Sequence, residues 1–133
     1  MIESKLIWTD SDRFVAQALS NHAIVVDAGK EKTANSPVEL VLIALCGCTA
    51  ADVVSILRKK REPFVSLEVL AKGERAPDPP TVFTEIQLVY RVGGKVSKKA
   101  MEDAVRLSEE KYCSVSAMLA KTARITYTIE YVD

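Results

Sequence analysis

The segment from Ser36 to Lys60 constrains this chain more than any other. Ser36 stands directly before Pro37, and Glu39 follows three residues after the serine. Serine is a preferred N-cap, and proline suits the first helical position. The glutamate can reach back to the serine N–H, which closes a capping box. From Leu40 to Ala51 no charged residue occurs, and Asp52 is the first after that run. The pattern predicts a helix running to about Lys60. Its end, Arg58-Lys59-Lys60-Arg61, sets positive charge against the negative end of the helix dipole, and Pro63 forbids continuation. A basic cluster in that place reads as a solvated helix end rather than a phosphate site. A helix apolar on every side over its first half has to be buried there. The uncharged run is shorter than the roughly 20 residues of a membrane span, so no membrane partner is expected.

A core able to take such a helix needs enough chain around it. The 133 residues suit one domain covering 1–133, which hides roughly two-thirds of its extended surface without help from metal or disulfide. Hydrophobic residues at 48% against 27% charged argue against disorder. Eighteen basic and eighteen acidic side chains leave no net charge, which disfavours nucleic acid as a partner. The start, MIESKLIW, lacks a charged-then-apolar leader, so export is not expected. Three cysteines leave one over in any disulfide framework. The expected location is the cytoplasm, where thiols stay reduced.

The remaining chain reads as strands and two further helices. Ile2–Trp8, Arg13–Leu19 and Ala23–Asp27 are short strands, followed by a polar loop from Gly29 to Asn35. After the long helix, Val65, Leu67, Val69 and Ala71 share one side of a strand. Val82, Ile86, Leu88, Tyr90 and Val92 then alternate with Glu85, Gln87 and Arg91. One wet and one dry face predict an antiparallel sheet with helices on a single side. Ala76–Pro80 is a rigid turn and Gly93-Gly94 ends the second strand. Ser97 caps a helix with Met101, Ala104, Val105 and Ser108 on one face. A break near Tyr112-Cys113-Ser114 precedes a short helix to about Lys121, and Arg124–Val132 is the last strand. The order βββ-α-ββ-α-α-β defines an α+β fold.

Chemistry has few places to reside. His22 is the only histidine and lies beside a turn. Cys46 and Cys48 are not at structural-zinc spacing, and a single further cysteine exists, so neither a metal nor a cofactor is expected. The serines lack an elbow motif. The cysteines remain. Cys48 lies on a helical stripe with Val41, Ala44, Asp52 and Ser55, and Cys46 points about 160° away, so the two cannot bridge on an intact helix. Cys113 lies at a helix start beside Lys111, two features that favour thiolate. Free cysteine is also a common small core hydrophobe, and the residues alone leave both readings open.

The run Ser36-Pro37-Val38-Glu39-Leu40-Val41-Leu42-Ile43-Ala44-Leu45-Cys46-Gly47-Cys48, with the later Tyr112-Cys113-Ser114-Val115-Ser116, resembles the OsmC/Ohr family (osmotically inducible protein C and organic hydroperoxide resistance). That family opens a long central helix with Asn/Ser-Pro, places a cysteine eleven residues after the proline, and carries a second near Cys-Pro-Val-Ser. The interval from Pro37 to Cys48 matches, and the likeness looks closer to the less characterised OsmC-like branch than to Ohr. The resemblance implies an OsmC-like fold of antiparallel sheets around a long buried central helix, forming an intertwined homodimer. It also implies a thiol peroxidase for organic hydroperoxides. Cys48 would be the attacking thiolate, Cys113 the resolving thiol, and an external dithiol or protein the reductant. Arg13 is its candidate for the activating arginine. Glu39 is its candidate for the orienting carboxylate, although Val38 occupies the family's glutamate position and Glu39 lies about 180° round the helix from Cys48. Asp52, one turn beyond Cys48, would oppose thiolate formation if ionised nearby, or accept hydrogen bonds. Two other readings of the same resemblance are a dimer binding a small apolar or thiol ligand, and a redox sensor.

Overall fold

The computed structural model describes residues 1–133, in the order β1 (Ser4–Asp10), β2 (Arg13–Ala18), β3 (Ala23–Asp27), α1 (Pro37–Lys59), β4 (Phe64–Arg75), β5 (Phe83–Gly94), α2 (Lys98–Leu107), a π-helical turn (Ser108–Tyr112), α3 (Ser114–Leu119) and β6 (Arg124–Val132). The α+β order expected from the sequence is the order found. By its internal contacts the chain forms two compact units, Met1–Val41 and Leu42–Asp133.

The first unit is the antiparallel sheet β1-β2-β3. Its last strand leads into a loop organised by Asp27, whose carboxylate accepts from Gly29 N–H at 2.8 Å, from Thr33 N–H at 3.0 Å and from the Thr33 hydroxyl. Leu6, Ile7, Trp8, Ile24 and Val25 are all exposed, Trp8 by 64%. At the end of this unit the capping box forms as the sequence requires. Ser36 N–H donates to Glu39 Oε1 at 2.9 Å, and Glu39 N–H donates to Ser36 Oγ at 3.2 Å.

In the second unit β5 is the central strand, and its even-numbered residues Ile86, Leu88, Tyr90 and Val92 are buried. They share the core with Leu45, Thr49, Val53 and Leu57 of α1 and with Met101, Ala104 and Val105 of α2. Helix α2 starts where its cap allows, Ala100 N–H donating to Ser97 Oγ at 3.2 Å. Gly94, with φ of +103°, ends β5 in a backbone region that favours glycine.

Three sequence expectations need correction. The second sheet is mixed: β4 pairs antiparallel with β5, but β6 pairs with it in parallel. A parallel return requires a crossover of a dozen or more residues, and α2 with α3 supplies one. Val65 does not share a face with Leu67, Val69 and Ala71. It is the extra residue of a bulge between Phe64 and Ser66 and is 77% exposed, as a bulge residue left out of the ladder can be. The first half of α1 is not buried all round within the chain. Only the stripe Leu45, Thr49, Val53 and Leu57 is fully covered, while Val41 and Ile43 are exposed. At 23 residues α1 also has the length and composition of a membrane span, because the helix extends on both sides of its uncharged run. That stripe is nevertheless packed as the core of a folded unit.

Candidate functional site

Cys48 flanks the buried stripe of α1 and is half-buried, whereas its neighbour Thr49 is fully buried. Successive helical residues point about 100° apart, so α1 turns one side chain toward the partly open face and the next into the core. Asp52 sits one turn beyond Cys48 and is half-buried as well. From the other side the chain leaves α2 through the π-helical turn. There Cys113 N–H donates to Ser108 O at 2.8 Å, a bond that closes the wide turn. π-Helical turns commonly accompany functional sites. This one sets Cys113 at the N-cap of α3, with Ser116 N–H donating to Cys113 Sγ at 3.3 Å.

The result is a cluster of two thiols and a carboxylate. Cys48 Sγ, Cys113 Sγ and a carboxylate oxygen of Asp52 all lie within 4.8 Å of one another, and all three cysteines are free. Beneath it runs a chain of hydrogen bonds. Ser108 Oγ donates to Asp52 Oδ2 at 2.9 Å. Thr49 Oγ1 lies 2.8 Å from Ser108 Oγ and 2.6 Å from Tyr90 Oη. The Tyr90 hydroxyl donates to Glu109 Oε1 at 2.8 Å, and Ser116 Oγ donates to Glu109 Oε2 at 2.7 Å. No buried side-chain polar atom lacks a partner. A fully satisfied network of this kind fixes the side chains it joins.

The two thiols have different electrostatic surroundings. Cys113, 3% exposed, is pushed up to about 12 by burial first and then by the neighbouring Cys48 and Glu109; the Ser116 N–H pulls the other way. This corrects the expectation that a helix start and Lys111 would lower the Cys113 pKa. Desolvation outweighs the single N–H, and the Lys111 ammonium lies instead over the Tyr112 ring, 5.3 Å from its centroid. Burial likewise raises the Tyr90 hydroxyl and the Cys46 thiol. Cys46 is half-buried and lies off the fully buried stripe of α1.

The other candidates are engaged locally. Arg13 pairs with Asp10 through Nε at 3.1 Å and through Nη2, the larger cause of its raised pKa and of the lowered Asp10 pKa. Glu39 is held by the Ser36 N–H, which lowers its pKa. The parts of Thr49, Tyr90, Glu109 and Ser116 in this network carry no signal in the sequence, where Tyr90 reads only as a strand residue and Ser116 as part of a motif. Ser108 was visible only as a polar residue on the apolar face of α2.

An α+β chain with a long apolar helix, carrying one thiol against a second from the α2–α3 crossover, defines a class: small proteins with a paired-thiol site. The chain belongs to the OsmC-like protein family, whose model matches residues 29–128. It is 42% identical to Protein YhfA of Escherichia coli K12 over 132 residues, covering 98% of each chain. It is similar to the crystal structure of a hypothetical protein from Aquifex aeolicus VF5, with 31% identity, coverage of 100% of this chain and 98% of that one, and a TM-score of 0.87. It shares its fold with an organic hydroperoxide resistance protein from Elizabethkingia anophelis at 15% identity and a TM-score of 0.74, covering 99% and 96% of the two chains.

Proposed function

We propose that this protein is a thiol peroxidase that reduces organic hydroperoxides. The observation that carries this reading is the meeting of Cys48 and Cys113, distant in sequence, as free thiols whose sulfur atoms lie within 4.8 Å of each other. Cys48, half-buried and reachable, attacks the distal peroxide oxygen as thiolate. The O–O bond breaks, the alkoxide takes up a proton and leaves as alcohol, and Cys48 becomes a sulfenic acid. Cys113, buried and protonated beside it, then condenses with that sulfenic acid, releasing water and forming a disulfide. An external dithiol or protein reductant restores both thiols by exchange.

The supporting context is the family and its hydroperoxide-resistance members. Arg13 and Glu39 are the residues the resemblance offers for thiolate activation and its orientation. The proposal does not depend on them, because each is already satisfied within its own unit. The exposed apolar side chains of β1, β3 and α1 support a homodimer, and the free cysteines are in keeping with the cytoplasm as its location.

The test is to treat reduced protein with cumene hydroperoxide and count thiols. The wild type should lose two thiols per chain and recover them with a dithiol, over many cycles. Cys48→Ser should abolish the reaction, and Cys113→Ser should leave a trappable sulfenic acid. Thiol loss that persists in Cys48→Ser overturns the proposal. A single oxidation without recovery would favour the sensor reading.

A further inference from the structure

We propose that Cys48, Cys113 and Asp52 form a binding site for a thiophilic divalent cation, zinc above all. This goes beyond the peroxidase reading and does not require it. The three donor atoms come from two separate parts of the chain and lie within 4.8 Å of one another. Zinc bound at Zn–S distances of ~2.3 Å places tetrahedral thiolate donors roughly 3.8 Å apart. The cluster is therefore at most about an ångström wider than a loaded site. Cys48 and Asp52, both half-buried on one face of α1, can close that gap by side-chain rotation.

The composition of the cluster favours a cation. A carboxylate beside a thiol pair is unfavourable for two thiolates on their own, since like charges repel. Around a divalent ion the same three groups are complementary, with two soft sulfur donors and one hard oxygen. Three protein ligands leave a fourth position open to water, the pattern of exchangeable rather than sealed zinc sites. The surroundings are built in the way ligands are usually supported. Ser108 Oγ holds Asp52 Oδ2 at 2.9 Å, leaving the other carboxylate oxygen to coordinate, and Ser116 N–H holds Cys113 Sγ at 3.3 Å. Outer partners of this kind orient ligands and raise affinity.

Binding balances as two thiols and one zinc ion giving two zinc-bound thiolates and two released protons. Because the sulfurs are those of the peroxidase reading, a bound cation withholds both from peroxide.

The experiment uses the reduced full-length chain. Zinc is added, the protein is dialysed, and retained zinc is measured by atomic absorption. Cobalt(II) substitution then reports thiolate ligation through its charge-transfer band. One zinc per chain should be retained. Cys48→Ser and Cys113→Ser should each lose it, as should Cys113→Ala, which serves where the serine variant does not fold. Asp52→Asn should weaken binding, Ser108→Ala should weaken it by about 10–100-fold, and Cys46→Ser should leave it unchanged. Failure to retain zinc overturns the proposal. So does binding that needs Cys46 but not Cys113, or binding indifferent to Asp52→Asn. Peroxide assays run with chelator present keep the two proposals separate, since either can fail without the other.

Discussion

The Ser108 hydroxyl donates to Asp52 Oδ2 at 2.9 Å and lies 2.8 Å from Thr49 Oγ1, tying the π-helical turn to α1 one helical turn beyond Cys48. Ser108 and Thr49 are fully buried, so water does not readily replace the bond between them when the Ser108 hydroxyl is removed. Ser108→Ala should destabilise the fold by about 1–3 kcal/mol, the cost of leaving buried partners short of a hydrogen bond. Urea denaturation checks this. A change below the error of the extrapolation would mean that Asp52 and Thr49 find other partners and that the turn is not anchored through Ser108.

The raised pKa of Cys113 has a consequence for stability. The folded state favours the neutral thiol, while the unfolded chain ionises near the ordinary thiol value of 9.0. A group whose folded pKa is raised contributes stability that is complete below the unfolded pKa and lost as pH climbs toward the folded one. The protein should therefore lose stability progressively from about pH 9 to about 12. Cys113→Ala should flatten the first part of that decline. Cys46, whose thiol burial also raises, adds a smaller decline of the same sign, and Tyr90 adds another above the ordinary phenol value of 10.0. Denaturation midpoints of the wild type, Cys113→Ala and Cys46→Ala between pH 8 and 10 separate the contributions. An unchanged decline in Cys113→Ala would refute the assignment.

The parts of this protein that were legible in its sequence are those governed by local chemistry. Ser36, Pro37 and Glu39 announce a helix start because a capping box needs only four consecutive residues, and Ser97 does the same for α2. The alternation through Ile86, Leu88, Tyr90 and Val92 marks a strand because its period is its own. The parallel setting of β6 was not legible from Ile125, Tyr127, Ile129 and Tyr131, since alternation looks alike in either direction. The signal that was available is the long crossover between β5 and β6, which a hairpin does not need. The Thr49–Tyr90–Ser108–Glu109 network joins three elements, and each residue looks ordinary where it stands. Cys48 and Cys113 were recognisable through the family pattern, but only the fold brings Asp52 to both.

The capping role of Glu39 is distinguishable from a catalytic one. Its carboxylate accepts the Ser36 N–H at 2.9 Å, and glutamine fills the same place in a capping box. Glu39→Gln should therefore retain the peroxide reaction within about twofold, since a bond worth under ~0.5 kcal/mol changes hands. Ser36→Ala should cost about 1 kcal/mol of stability through loss of the cap. Stopped-flow thiol oxidation and thermal denaturation measure the two. A large rate loss in Glu39→Gln with an unchanged melting temperature would return Glu39 to the catalytic group.

Helix α1 buries a single stripe, and Ile43 on its first half stays 51% exposed; Trp8 and Met118 are 64% and 65% exposed. Isolated apolar side chains on a surface are ordinary, but contiguous patches mark interfaces. On α1, Val41 and Ile43 are exposed together, and so is Ala44, within the run that carries no charge from Leu40 to Ala51. A second copy of the chain covering this segment would explain why its sequence lacks the polar face that a surface helix carries. Sedimentation velocity at micromolar concentration should give the mass of two chains. Ile43→Glu, which places an unpaired charge in that contact, should shift the population toward one chain, because an unpaired charge taken out of water costs several kcal/mol. The variant should keep its far-ultraviolet circular dichroism, since Ile43 lies outside the buried stripe. A wild type that sediments as a single chain, or an Ile43→Glu dimer as tight as the wild type, would place the interface elsewhere or remove it.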